Sequence, residues 1–227
     1  MQTDMTVGKP MKMLLNFTIP VFLGNVFQQL YSMADAVIVG KFVGTKGLAA
    51  VGATGTITFL IIGFLMGLTT GFTVLTSQKF GAGRMDEMRK TVGNAAILSV
   101  VIAVVMTAVS MLGMHRLLVF MHTPEDIFDG AYGYIMIICA GIFTQVLYNL
   151  VSSILRALGN SKTPLYFLIL AAVLNIVLDL VFIIFFHWGA PGAAWATVVS
   201  QGVSGLLCLI YIWKAVPELK MKREDWH

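Results

Sequence analysis

Asp35 and Asp179 are the two acidic side chains that this 227-residue chain places inside long apolar stretches. Asp179 lies in TPLYFLILAAVLNIVLDLVFIIFF, residues 163–186, four residues after Asn175. Residues i and i+4 share a helix face, so amide and carboxylate stack one above the other. A carboxylate in hydrocarbon costs about 2.5–3.5 kcal/mol on insertion scales, so it persists only where it faces a protein or water-filled interior, and it reads as an ion or proton site. The plainer alternative is an acid that hydrogen-bonds a neighbouring helix and only holds a bundle together. Asp35 closes a second set: Asn25, Gln28, Ser32 and Asp35 recur at spacings of three and four, a polar stripe that must turn away from lipid. Gln145, Asn149, Ser152 and Arg156 repeat that spacing, with Tyr134 on the same side as Gln145, and Thr197, Ser200, Gln201 and Ser204 follow in the last apolar run.

Collected inward, Asp35, Asn175, Asp179 and Thr197, with Tyr134 and Asn149 nearby, all present oxygen. Hard cations take oxygen ligands, so this set suits an alkali ion such as Na+. Burial and a neighbouring acid both favour a protonated carboxyl, so the same set suits a proton; residue types do not separate the two. His115, His122, His187 and His227 fall in loops or at the terminus, and Cys139 and Cys208 lie in apolar runs, so neither type gives metal-ligand or disulfide spacing. There is no nucleophile–base pair and no Gly-rich phosphate loop. The pattern points to ion-coupled transport ahead of catalysis, with no cofactor beyond the coupling ion.

The elements that must position these residues are membrane helices. The chain is 58% hydrophobic and 11% charged, against roughly a quarter charged for a soluble domain. Six apolar runs, at about 13–39, 48–78, 92–118, 130–155, 163–187 and 191–214, each exceed the roughly 20 residues that a bilayer requires. No alternating ten-residue segments suggest a barrel, and helices are the other way to satisfy a backbone in lipid. The expectation is an all-α integral membrane bundle of six transmembrane helices over residues 1–216, followed by a cytosolic tail, 217–227. The N-terminal run lacks a small-residue cleavage site and reads as a retained span.

Of the 15 Lys and Arg, all but Lys41, Lys46 and Arg116 fall on one set of loops and ends, so the inside-positive bias predicts both termini in the cytoplasm. On that orientation Asp35 lies roughly 7 Å and Asp179 roughly 12 Å from the outer ends of their helices at 1.5 Å per residue, so the two acids could share one cavity. Pro20 removes a backbone donor and predicts a kink or hinge in the first helix. Gly63, Gly67 and Gly71 form small-xxx-small pairs that predict close helix packing. Thr123-Pro124-Glu125-Asp126 reads as a helix start with Thr123 as its cap and Pro124 in the first helical position.

These residues, in order, resemble the N-terminal lobe of multidrug and toxic compound extrusion (MATE) transporters. The resemblance is carried by DAVIVGKFVGTKGLAAVG from Asp35, TSQKFGAG ending at Gly83, RALGNSKTP from Arg156, LNIVLD ending at Asp179 and GAAWATVVSQ ending at Gln201. It implies a multi-pass protein of the bacterial cytoplasmic membrane that expels organic, cationic compounds in exchange for Na+ or H+. It also implies that Asp35, Asn175, Asp179 and Thr197 form the lobe's cation site. Tyr134 and Asn149 would be cavity residues beside it, in line with Gln28, Gln145 and Ser152 on the polar stripes, and Pro20 would be the point where the first helix bends. Family members carry twelve helices in two lobes. A six-helix chain would then be a single lobe, and its second lobe would come from homodimerisation or from a separate polypeptide. The lipid bilayer is the remaining expected partner, and nucleic acid is not one. Two rivals stand beside this reading: a lipid-linked precursor flippase, which the expected acidic or neutral cavity disfavours, and a non-transporting membrane binding module.

Overall fold

The computed structural model describes residues 10–216 and Leu219. The predicted tail, Leu219 apart, and Lys9 lie outside these residues. The described chain is helical throughout: α1 Pro10–Phe42, α2 Thr45–Gly81, α3 Met85–Phe120, α4 Glu125–Ala140, α5 Ile142–Ala157, α6 Lys162–Asp179 and α7 Gly189–Ala215. A π-helical turn, Leu180–Phe185, continues α6 directly after Asp179. The apolar runs form helices because every backbone group is then bonded within its own segment. The connections are tight, and glycine helps to close them: Gly44 between α1 and α2, Gly83 between α2 and α3 and Gly159 between α5 and α6 adopt φ of 90°, 71° and 78°, a region that side chains with a Cβ avoid.

Among the described residues, five helices are long and apolar enough to cross a membrane. The fourth predicted run is instead two helices, α4 and α5, bent by 47° at Gly141; counted as one broken span, the pair makes a sixth. The break coincides with a close helix crossing. A Cβ at Gly141 would stand 2.2 Å from Val198 Cγ2, so α7 crosses there against bare backbone. The outer faces carry large apolar side chains, among them Leu112 at 85% and Phe120 at 79% exposure, a surface suited to lipid and not to water.

α1 is helical from Pro10 to Phe42 with Pro20 inside it, which neither supports nor opposes the expected kink. Other local expectations are revised. Gly63, Gly67 and Gly71 lie on an exposed face of α2, where an added Cβ would meet nothing within 4 Å. The close approaches are made elsewhere, by Gly202 and Gly205 of α7 against Thr144, Leu147 and Tyr148 of α5. α4 begins at Glu125, one residue later than the sequence suggested, and Thr123 makes no capping bond.

Two apolar clusters stack along the bundle. One joins Val39, Leu65, Leu118, Ile135, Ile138 and Ala194. The other joins Met88, Val92, Leu155, Leu158 and Cys208 towards the opposite end. α7 packs against α4, α5 and α6 and forms the spine, while α1 leans chiefly on α6. The space left between α1, α2 and this spine is the cavity described next.

Candidate functional site

A cavity of about 300 Å³ runs beside α1, walled by α2, α4, α5, α6 and α7. The whole α1 stripe reaches it: Asn25, Gln28, Ser32 and Asp35 line the wall, as do Pro20 and Tyr31. The three-and-four spacing winds in step with the helix, so one face of α1 stays polar over its length. Tyr134 and Thr197 line the same cavity, with Gln145 and Asn149. The bend at Gly141 lets α4 contribute Tyr134 while α5 contributes Gln145, Asn149 and Arg156.

Asp179 and Asn175 stand behind this wall and not on it: they are 0% and 1% exposed. Their helix-mate spacing stacks them on the inner face of α6. Asn175 Nδ2 donates to Thr197 Oγ1 at 3.4 Å, which ties α6 to α7. The carboxyl of Asp179 lies next to that of Asp35. Asp35 Oδ1, both Asp179 oxygens and Asn175 Oδ1 are buried oxygens with no hydrogen-bond donor among the neighbouring protein groups. Buried polar groups are normally paired, and each such orphan costs about 1–3 kcal/mol or more for a charged group. A cation could take several of these oxygens as ligands, and a proton could bridge the two carboxyls, so the residue types fit either.

The sequence-predicted set is thus divided. Asp35, Asn175, Asp179 and Thr197 meet at one end. Gln28, Tyr134, Gln145 and Asn149 line the cavity, with Pro20 nearer its other end. Ser152 is the exception: it is 0% exposed, with a buried Oγ that has no partner, and Ser153 takes its place on the wall. Both are compatible with a stripe through Asn149, at i+3 and i+4, and the α5–α7 packing turns Ser152 inward.

The cavity also holds groups that the stripes did not nominate. Tyr31 lies beside Gln201, Ser32 and Gln28; three residues after Gln28 and four before Asp35, it was on the stripe all along. Tyr148 donates its hydroxyl to the Pro164 carbonyl at 3.2 Å and pins α5 to the first turn of α6. Ser161 lines the cavity near that join, beside Arg156, the last member of the α5 stripe. The expected acidic or neutral cavity is therefore corrected: acceptors gather at the Asp35 end and a guanidinium at the other. Among the described residues no group of three or more His, Cys, Asp and Glu is placed to hold a metal ion, so any ion site must draw on amide and hydroxyl oxygens as well.

The comparisons with known proteins agree with this architecture. The MatE family model matches residues 20–181. The chain is 35% identical over 211 residues to the probable multidrug resistance protein YpnP of Bacillus subtilis, a match covering 93% of this chain and 47% of that protein. It is 25% identical over 226 residues to the FAD transporter of Shewanella oneidensis, covering 95% of this chain and 50% of that one. Among solved structures it superposes with a TM-score of 0.91, at 28% identity, on a multidrug resistance MATE family transporter of the MOP superfamily in an outward-facing conformation, covering 97% of this chain and 49% of the other. The chain spans about half the length of the relatives it matches. Family model, relatives and fold converge, and the chain belongs to the MatE family.

Proposed function

We propose that this chain forms one lobe of a cation-coupled antiporter that expels organic, cationic compounds, with Asp35, Asn175, Asp179 and Thr197 as the site of the coupling ion, Na+ or H+. The observation that carries the reading is the group of buried acceptor oxygens without donors on Asp35, Asn175 and Asp179. A bundle held together by structural acids would pair those oxygens with hydroxyls or amides; a site for a positive species leaves them for the ion. Relatives named for multidrug resistance and for FAD transport support a solute-transporting role.

In this reading the ion binds between the two carboxylates and cancels their mutual repulsion. Asp35 on α1 is then drawn to Asp179 on α6, and α1, which leans chiefly on α6, changes its tilt about the Pro20 region. The cavity wall contains Gln28, Tyr31, Asn25 and Ser32 from α1, so a change in α1 alters the surface offered to the bound compound. A ligand shifts such an equilibrium only by its differential affinity for the two states. Both termini lie in the cytoplasm, by the distribution of Lys and Arg. A second lobe, from another copy or another chain, packs on the exposed glycine face of α2, where bare backbone allows close approach.

The test is proton- or Na+-driven efflux of ethidium from proteoliposomes, with Asp35→Asn and Asp179→Asn compared to the native chain. Either substitution should lower the cation-stimulated rate at least tenfold, and the native protein should run at twice the chain mass or with a partner chain in native mass spectrometry. Coupled efflux that persists unchanged in either variant refutes the site.

A further inference from the structure

The cavity is polarised along its length. Asp35 and Arg156 are the charged side chains on its wall, and they lie near opposite ends. Asp35 neighbours Asp179, the last residue of α6. Arg156 is in the last turn of α5, beside the first turn of α6, to which Tyr148 is hydrogen-bonded at Pro164. Fifteen residues separate Pro164 from Asp179, roughly 22 Å at 1.5 Å per residue.

Around Arg156 the wall offers Ser153, Ser161 and Asn149, so hydroxyl and amide groups accompany the guanidinium. No acid takes it: the ion pairs among the described residues are Lys46–Asp126, Lys79–Glu87, Arg84–Glu87 and Arg89–Asp86. A basic residue in the last turn of a helix complements the helix dipole, and the inside-positive bias also favours one. Both considerations explain a charge at this position, yet neither requires it to open onto the cavity. Lys162, six residues on, is exposed and away from the wall. Arginine presents a planar fork of donors that matches a carboxylate or phosphate bidentately.

We propose that Arg156, flanked by Ser153 and Ser161, is the anion-recognising end of the cavity, which favours organic compounds bearing a carboxylate or phosphate over compounds that are cationic alone. This rests on the reading of the cavity as the substrate site, and it sharpens that reading from cationic compounds in general to those that also carry an oxyanion. The Asp35 end takes the positive species, whether the coupling ion or an amine of the same compound. The Arg156 end takes the oxyanion.

The test uses the full chain purified in a neutral detergent and two dyes read by fluorescence anisotropy: a rhodamine whose phenyl ring carries a free carboxylate, and the methyl ester of the same dye. Both keep the cationic ring system and differ at one group. The native chain should bind the acid about tenfold more tightly than the ester, the size of one charge-assisted hydrogen-bonded contact. Arg156→Gln should bring the ratio of the two affinities to about one, and Arg156→Lys, which keeps the charge without the fork, should restore part of it. A ratio that Arg156→Gln leaves unchanged, or a native preference for the ester, overturns the assignment while the substrate-cavity reading stands. If neither dye binds the native chain, both readings are overturned. If phosphatidylglycerol binds with Arg156 dependence while the two dyes bind equally, the guanidinium holds a lipid headgroup and the assignment to an exported solute is overturned.

Discussion

Replacing Gly141 by alanine sets two effects of opposite sign against each other. Gly141 has φ of −82°, a value that alanine adopts freely, so no backbone strain arises. On conformational entropy alone the substitution stabilises by about 0.4–1 kcal/mol. The new Cβ, however, would stand 2.2 Å from Val198 Cγ2, 2.9 Å from its Cγ1 and 3.1 Å from its Cβ. Ordinary carbon contacts are about 3.5–4.0 Å, so the nearest methyl must retreat by more than 1 Å on a β-branched side chain with little rotamer freedom. Its neighbours on α7, Ala194 and Ala196, are fully buried, which limits that retreat. Overpacking of this kind costs roughly 1–3 kcal/mol, so the contact outweighs the entropy and the net change is destabilising by about 1–2 kcal/mol. For a chain of this size that is a fall in melting temperature of about 2–8 °C.

The assay is thermal unfolding in detergent for Gly141→Ala, Val198→Ala and the double variant. Val198→Ala alone loses apolar burial of about 0.8 kcal/mol per methylene equivalent. In the double variant the alanine Cβ at residue 141 gains the room left by the Val198 methyls. The two changes should therefore be less harmful together than their sum, with a coupling of about 1 kcal/mol or more. Additive behaviour, or a Gly141→Ala variant as stable as the native chain, would refute the claim that bare backbone at the α4–α5 break is what lets α7 cross there.

Two further outcomes follow from the described contacts. Tyr148→Phe leaves the buried Pro164 carbonyl without its 3.2 Å donor and should destabilise by about 1–2 kcal/mol, read as a lower melting temperature with ligand affinity falling in step. On the α2–α3 side, the Lys79 ammonium, hydrogen-bonded to Glu87, holds that carboxyl below its usual range. A depressed folded-state value means that any stability from the pair is present above the ordinary glutamate range and lost as pH falls through the folded value. NMR titration of Glu87 should therefore give a midpoint below that of an unpaired glutamate, and Lys79→Gln or molar salt should move it up, because exposed pairs are screened.

The helical class and the polar stripes were legible because hydrocarbon punishes exceptions: Asn25, Gln28, Ser32 and Asp35 could not all face lipid, and their spacing names one face. Resolution failed where two phases fit equally. Ser152 and Ser153 follow Asn149 by three and four residues, and only the packing of α5 on α7 decides which one reaches the cavity. Gly141 carried no periodic signal inside an apolar run, so the break in the fourth run became visible only in the structure, where α7 crosses it. The glycines of α2 show the converse: spacing marks a face as smooth but does not say whether a neighbour is seated on it. Arg156 was visible as a helix-end cation, yet its opening onto the cavity depends on where the first turn of α6 docks.

The π-helical turn after Asp179 has a bearing on phase. In an uninterrupted α-helix, residues seven apart return to nearly the same azimuth, within about 20°, so Phe186 would lie over Asp179 and be driven towards the interior. A π turn bonds i to i+5 and carries one residue more per turn, which lags the following residues by about 100°. Asp179 is 0% exposed and Phe186 48% exposed. Phe186 instead gathers with Phe182 and Trp188, at ring separations of 5.4 Å from Trp188 and 6.3 Å from Phe182, as an aromatic anchor of the kind found at membrane–water boundaries. One surplus residue thus acts as a gear offset, letting a single helix show an acid to the protein and an anchor to the lipid from positions that plain winding would superimpose.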